Sequence, residues 1–302
     1  MGLTVDGILD INKPAGKTSF DIVAKIKQLS GERRVGHAGT LDPMATGVLP
    51  VCLGRGTRVI QFLAGATKTY RAQIELGVAT DTYDASGKIT YRGDPSGISR
   101  EQVASAVTSF CGSIRQIPPM YSAVKHQGKR LYQLARAGIE VERRSRPIKI
   151  YHLELVEWHP PVITIEVECS SGTYIRSLAH DLGQVLGCGA NLKGLIRLKY
   201  GLFDIREAIS MPQLEEAFRC GYWRRFVYPI DVMLLNWTAM VVSEDTRLIL
   251  KNGCPLVLKS DDSSLQPSFE NRCRVYTPDG YFLGVLYFNS EKRQWQPEKI
   301  FL

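Results

Sequence analysis

Between positions 33 and 47 the chain reads Arg33-Arg34-Val35-Gly36-His37-Ala38-Gly39-Thr40-Leu41-Asp42-Pro43-Met44-Ala45-Thr46-Gly47, a glycine-rich stretch with a lone carboxylate behind two arginines and a histidine. A carboxylate in that setting has two uses. It can accept backbone N–H bonds in an Asx turn ahead of Pro43, a conformational role, or it can act as a nucleophile and form a covalent adduct. Residue types alone leave both open. Metal chemistry is poorly supplied. The seven cysteines (52, 111, 169, 188, 220, 254, 273) form no CxxC pair, and the five histidines (37, 126, 152, 159, 180) form no HxxxH or HExxH pair. Reduced, mostly buried thiols and no bound metal are therefore expected. Gly16-Lys17-Thr18-Ser19 imitates the end of a Walker A loop, but Ile11 stands where the first glycine belongs and Pro14 interrupts the amide row. Nucleotide hydrolysis is not expected; Lys13 and Lys17 remain candidates for a phosphate contact.

A second chemical signal is charge. The chain has 302 residues, 44% hydrophobic and 23% charged, with a formal net charge of +8. Lys125, Lys129, Arg130, Arg136, Arg143, Arg144, Arg146 and Lys149 stand against only Glu140 and Glu142, so one short segment supplies most of that surplus. It could be a solvated face. Interleaved with Tyr121 and Tyr132, however, it has the composition that binds a nucleic-acid backbone and unpaired bases.

The elements that must position these groups read as a mixture of strands and helices. Residues 7–12 form a strand, and Thr18 or Ser19 caps a helix with Phe20, Val23, Ile26 and Leu29 on one stripe, ended by Gly31. Residues 35–56 hold too many glycines and prolines for a helix and read as loop and short strands that place side chains rather than build a core. A strand over 69–76 and a helix opened by the Ser99/Gln102 capping box follow. A helix over 129–137, strands around Ile148–Ile150 and Ile163–Val167, a helix over 173–186, a strand over 198–205 and a helix after Pro212 complete the larger unit. Beyond Asp231, short β-like runs and a polar stretch at 260–271 suggest a small β-barrel or sandwich with a mobile loop. The fold class expected is α+β, with a mixed, largely antiparallel central sheet flanked by helices over 1–237 and a small β-rich domain over 238–302. No apolar run approaches the roughly 18 residues of a spanning helix, and the N-terminus has no signal-peptide pattern, so cytoplasm is the expected location and no membrane partner is foreseen.

The motif around Asp42 resembles the GHxGTLDPxAxG element of the TruB family of tRNA pseudouridine synthases. The resemblance continues through Leu9–Ser19 (LDINKPAGKTS), Lys68-Thr69-Tyr70, the turn Leu76–Gly87, Pro118–Lys125 (PPMYSAVK) and Ser171–Leu178 (SGTYIRSL), in family order and across most of residues 7–205. It implies a pseudouridine synthase fold with a PUA-like RNA-binding domain at 238–302. It also implies Asp42 as nucleophile, Arg176 as its ion-pair partner, and Tyr70 stacking on the flipped uracil and helping remove a proton. His37 would contact the displaced nucleotide, with Lys13 and Leu195 at the substrate pocket. The family more often shows LRRT where this chain has Leu195-Ile196-Arg197-Leu198-Lys199. The basic segment at about 120–149 falls where the family carries an insertion that closes over the T-arm of tRNA, with Lys125, Lys129, Arg130, Arg143, Arg144 and Arg146 on the RNA backbone.

The implied activity is conversion of uridine 55 in the T-loop of tRNA to pseudouridine, by base flipping and covalent catalysis. The reaction is an isomerisation with no redox change, so no cofactor is implied. Addition to uracil C6, attack at ribose C1′ and a glycal route are all compatible with a carboxylate. A monomer without guide RNA is expected, and an accompanying tRNA-folding role is compatible with the same surface. A non-catalytic RNA-binding factor is the second class of function; the presence of Asp42, Tyr70 and Arg176 together favours the enzyme. A glycosidase would require two facing acids, and Asp42 is the one acid in a pocket motif.

Overall fold

In a computed structural model, which describes residues 5–256 and 271–301, alternation of Leu9 and Ile11 with Ile8 along the strand Gly7–Lys13 sends side chains into two separate apolar clusters. That strand lies near one side of an eleven-stranded sheet. The sheet runs Ile209–Ser210, Gly7–Lys13, Thr46–Leu53, Ala190–Tyr200, Lys68–Leu76, Val162–Cys169, Arg146–His159 and Gly112–Gln116, with three short strands paired alongside. Two neighbour pairs on this path are parallel, Gly7–Lys13 with Ile209–Ser210 and Thr46–Leu53 with Ala190–Tyr200; the remaining pairs are antiparallel. Helices Ser19–Ser30, Arg100–Ser109, Ile175–Val185 and Met211–Arg219 flank it, giving the mixed α+β class.

The helix Ser19–Ser30 begins with a capping box in which Thr18 accepts from the Asp21 amide, and it ends at Gly31 in the left-handed region. Its buried stripe is Ile22, Val23 and Ile26, whereas Phe20 is 72% exposed. Val23 and Ile26 of the expected stripe are therefore buried as read, but Phe20 is not; Ser19 and Ile22 take the inward positions beside them, Ser19 to bind the neighbouring loop.

Thr46–Leu53 departs furthest from the loop-rich expectation for 35–56. It is an eight-residue strand with Val48, Leu49, Val51, Cys52 and Leu53 fully buried. Leu49, Val51 and Leu53 enter one cluster and Val48 and Cys52 the other, so both faces are covered and no polar alternation marks the strand. Gly47 allows the close approach to Ala190–Tyr200: at φ +100° a Cβ there would lie 2.2 Å from the Arg197 carbonyl oxygen.

Other boundaries shift. The strand expected over 198–205 begins at Ala190, runs to Tyr200 and turns back through Phe203–Asp204. The helix expected over 129–137 is Leu131–Arg136, preceded by a short hairpin of Lys125–His126 with Lys129–Arg130.

At the C-terminal side, Thr238–Val241, Arg272–Tyr276, Phe282–Asn289 and Gln294–Ile300 form one four-stranded sheet accompanied by the helix Glu244–Lys251. Among the described residues this is one sheet with a helix, where a barrel or sandwich was expected; the helix lacked a sequence signal strong enough to stand out among short β-like runs. The polar stretch 260–271 lies, apart from Asn271, outside the described residues. The small sheet is welded to the larger body. Phe301 and Val285 join the cluster of Ile8, Val48, Cys52 and Leu63. Arg58 donates to the Ile300 carbonyl at 2.7 Å, and Arg55 holds both Asp6 and the Phe301 carbonyl. Among the described residues no helix is long and apolar enough to cross a membrane.

Candidate active site

Ser19, on the first turn of its helix, accepts from the Leu41 amide at 2.9 Å and donates to the Leu41 carbonyl at 3.1 Å. This pair of hydrogen bonds pins the residue before Asp42. On the other side, the Pro43 carbonyl accepts from the Gly16 amide at 2.8 Å and from the Lys13 ammonium at 3.3 Å. Asp42 is thus held from both flanks, and its side chain keeps about a third of its surface, 34%, open to solvent.

Arg176 reaches that carboxylate from the first turn of Ile175–Val185. Its Nε lies 2.9 Å from Oδ2 and its Nη2 donates to Oδ1 at 3.1 Å, a two-pronged grip that fixes both atoms. The guanidinium itself is buried and fully engaged, with Nη2 also donating to the Tyr121 carbonyl at 2.9 Å and Nη1 to Asp84 Oδ2 at 3.4 Å. The start of this helix is clamped in turn. Gln116 exchanges two hydrogen bonds with the Tyr174 backbone, and Ser177 donates to the Ile117 carbonyl. Loss of solvent raises the Asp42 carboxyl above its ordinary 3.8; Arg176 and Lys13 oppose that shift and Asp84 adds to it.

Tyr70 lies on Lys68–Leu76, opposite Arg197 on one neighbouring strand and Val167 on the other, and is 8% exposed. Burial raises its phenol, and the positive charge of Arg197 pulls the other way. Leu195, two places before Arg197 on the same strand and opposite Ala72, belongs with Tyr70 and Leu41 to the large apolar cluster of the sheet. His37 sits on Val35–His37 with Nδ1 buried and without a hydrogen-bond partner. Burial and the nearby Arg197 lower it, keeping the imidazole neutral.

Lys13 is placed differently from a phosphate contact. It is fully buried, and its ammonium donates to the carbonyls of Pro14, Lys17 and Pro43. With three protons on three acceptors, it ties the two loops together and presents charge to Asp42 from behind. Burial lowers it to about 8, with Asp42 pulling it back up.

The basic segment divides. Lys125, Lys129, Arg130, Arg144 and Arg146 are exposed, free to meet a backbone, whereas Arg143 donates to the Pro118 carbonyl at 3.2 Å and lies 3.6 Å from Glu140. Arg197 and Asp84 complete the site, Asp84 without having been singled out as functional. Arg197 is 1% exposed and donates to Val48 O at 2.6 Å and Gly39 O at 2.9 Å, so it anchors both ends of the Asp42 loop. Asp84 falls within the Thr80–Gly87 turn, whose alternating Thr80, Thr82, Asp84 and Ser86 were the signal available for it. Among the described residues no group of three or more His, Cys, Asp or Glu is placed to hold a metal.

The large sheet with its helices is a pseudouridine synthase fold: it superposes with TM-score 0.76 and 25% identity on a chain in the crystal structure of a Cbf5-Nop10-Gar1 complex, covering 98% of this chain and 85% of that one. At 24% identity, a chain in the structure of an H/ACA RNP bound to a substrate RNA containing 2′-deoxyuridine shares the fold with TM-score 0.73, over 98% of this chain and 85% of that one. Residues 27–175 match the N-terminal domain of the TruB family pseudouridylate synthases, and residues 176–235 match the tRNA pseudouridylate synthase B C-terminal domain. Proteins named tRNA pseudouridine synthase B are similar along nearly the whole length: that of Dehalococcoides mccartyi is 45% identical over 99% of this chain and 97% of its own, that of Clostridium tetani 45% over 93% and 95%. The chain belongs to the TruB family of pseudouridylate synthases.

Proposed function

We propose that this chain isomerises uridine 55 in the T-loop of tRNA to pseudouridine, with Asp42 as the nucleophile and no cofactor. One observation carries the reading: a carboxylate partly open to solvent is gripped on both oxygens by a buried arginine. That grip opposes protonation of the carboxylate and holds it oriented and accessible on one side, which a purely conformational aspartate has no need of. The relatives' shared name supplies tRNA as the substrate class.

In the reaction the N1–C1′ bond breaks, the uracil turns over, C5 bonds to C1′, and the C5 proton leaves as N1 regains one; atoms and electrons balance without an outside reagent. The target uridine must leave its stack, at a cost of a few kcal/mol. Stacking on Tyr70 returns about 1–3 kcal/mol of that. Burial keeps the Tyr70 phenol protonated, so any part it takes in removing the C5 proton is as a relay through its oxygen rather than as a phenolate base. Leu195 walls the base pocket, and neutral His37 occupies the space near the displaced nucleotide. Lys125, Lys129, Arg130, Arg144 and Arg146 grip the T-arm backbone, Arg143 shaping the segment that carries them. The four-stranded C-terminal sheet is a PUA-like RNA-binding module over 238–302, attached to a catalytic domain over 1–237. The chain works as a monomer on folded tRNA in the cytoplasm, without a guide RNA.

Tritium release from 5-tritiated uridine in a T-arm minihelix tests this directly. Release is expected from the natural sequence and not from one with cytidine at position 55; release from uridines elsewhere in the arm would overturn the site assignment.

A further inference from the structure

Tyr83 has a left-handed backbone, φ 65°, in a region that side-chain-bearing residues rarely occupy. Such backbone is retained where the surroundings over-determine it, and it clusters at working sites. Here the surroundings are specific. The Tyr83 amide donates to the Thr80 carbonyl at 3.3 Å, its carbonyl accepts from the Leu192 amide at 3.0 Å, and the Ala85 amide donates to Leu192 O at 3.0 Å. The turn is thereby stitched to the same strand that carries Leu195 and Arg197. The Tyr83 ring lies flat on the His180 imidazole, centroids 3.9 Å apart and planes 13° from parallel.

His180 follows Arg176 by four residues on Ile175–Val185, so both side chains rise from one face of the helix, a turn apart. The residue next to Tyr83 is Asp84, which holds Arg176 Nη1 at 3.4 Å while its other oxygen accepts from Thr82 and Ser86. Consecutive residues of one turn therefore grasp the helix at two successive points, by a ring on His180 and a carboxylate on Arg176. The His180 Nδ1 is buried with no hydrogen-bond partner, so stacking, rather than a polar bond, is what this imidazole contributes. Burial and the neighbouring Arg143 keep it neutral.

We propose that the Tyr83–His180 stack is a positioning pair that holds the Asp84 turn in register with the helix and so aims Arg176 at Asp42. Neither residue touches the reacting atoms. The inference rests on the reading of Asp42 and Arg176 as the working pair.

Tyr83→Gly separates positioning from stability, because glycine accepts φ 65° without strain while removing the ring. With the T-arm minihelix, Tyr83→Gly and His180→Leu are expected to lower kcat about ten-fold with KM changed less than about two-fold. The acid limb of the kcat profile should move to higher pH, since a loosened Arg176 opposes protonation of Asp42 less. Tyr83→Phe, which keeps the stack, should restore kcat and the limb. Unchanged kcat in Tyr83→Gly, or a loss that follows Tm with the acid limb unmoved, would overturn the proposal. A wild-type chain that forms no pseudouridine would instead sink the functional reading itself.

Discussion

Arg176 and Asp42 meet through two parallel contacts of 2.9 and 3.1 Å, and the guanidinium that makes them is itself almost closed to water. Removing the anion should separate chemistry from binding. Asp42→Asn fits the same space but is a poor nucleophile, so tritium release should fall below detection while tRNA affinity stays within about three-fold, about 0.6 kcal/mol. Undiminished release by the variant contradicts the assignment.

Replacing Arg176 tests the grip. Lysine keeps the charge but cannot bind both oxygens while also reaching Asp84 and the Tyr121 carbonyl. Arg176→Lys should cost about 100-fold in kcat, about 2.7 kcal/mol of transition-state stabilisation. The pH dependence has a fixed sign. Asp42 is raised above 3.8 in the folded protein, and as the proposed nucleophile it would attack only when ionised, so activity should be present above the raised value and lost as pH falls through it. Arg176 opposes that rise, hence Arg176→Lys should carry the acid limb to higher pH. A limb that stays put in single-turnover assays would deny Arg176 its electrostatic role.

Asp10, on the strand that leads to Lys13, makes a stability prediction. It is 2% exposed, neither carboxylate oxygen has a hydrogen-bond partner, and burial pushes it up to about 7, with Arg197 opposing and Asp204 reinforcing. The folded state therefore binds a proton that the unfolded chain releases near 3.8, and stability falls as pH rises from about 4 to about 7. The shift from 3.8 to about 7 corresponds to on the order of 4 kcal/mol as an upper bound. Asp10→Asn should raise Tm by several degrees at pH 8 and change it little at pH 4. Scanning calorimetry at the two pH values decides; an equal shift at both would mean the side chain is not titrating.

The exposed bases of the 120–149 segment should appear in salt dependence rather than in turnover. Neutralising Lys129, Arg130 and Arg144 together should flatten the plot of log K against log salt by about 2 to 3, close to one unit for each phosphate that no longer meets a cation. Arg143→Ala should act on local order instead, because its guanidinium serves Pro118 and Glu140. An unaltered slope in the triple variant would turn this face away from RNA.

The sequence carried the strand over 69–76 and the helix over 173–186 because each has one apolar face and a clear period. Thr46–Leu53 was hidden for the opposite reason: it is covered on both faces, and Gly47 and Pro50 look like loop residues until the neighbouring strand accounts for them. Phe20 misled because periodicity weighs apolarity and cannot sense that Ser19 turns inward to bind Leu41. At the site, the motif around Asp42 could be read, but Asp84 and the Tyr121 carbonyl reach Arg176 from 92 and 55 residues away in the chain. Such convergence is a product of strand order, which no local pattern encodes.

Phe301 has a mechanical consequence. Its ring is 1% exposed in the cluster of Ile8, Ala38, Val48 and Cys52, residues of the strand that enters the Lys13 loop and of the segments on either side of Asp42. Clipping the polypeptide just ahead of it would pull a wedge from beneath the catalytic floor. Proteolytic nicking there should therefore silence the enzyme even with every reactive group still in the molecule.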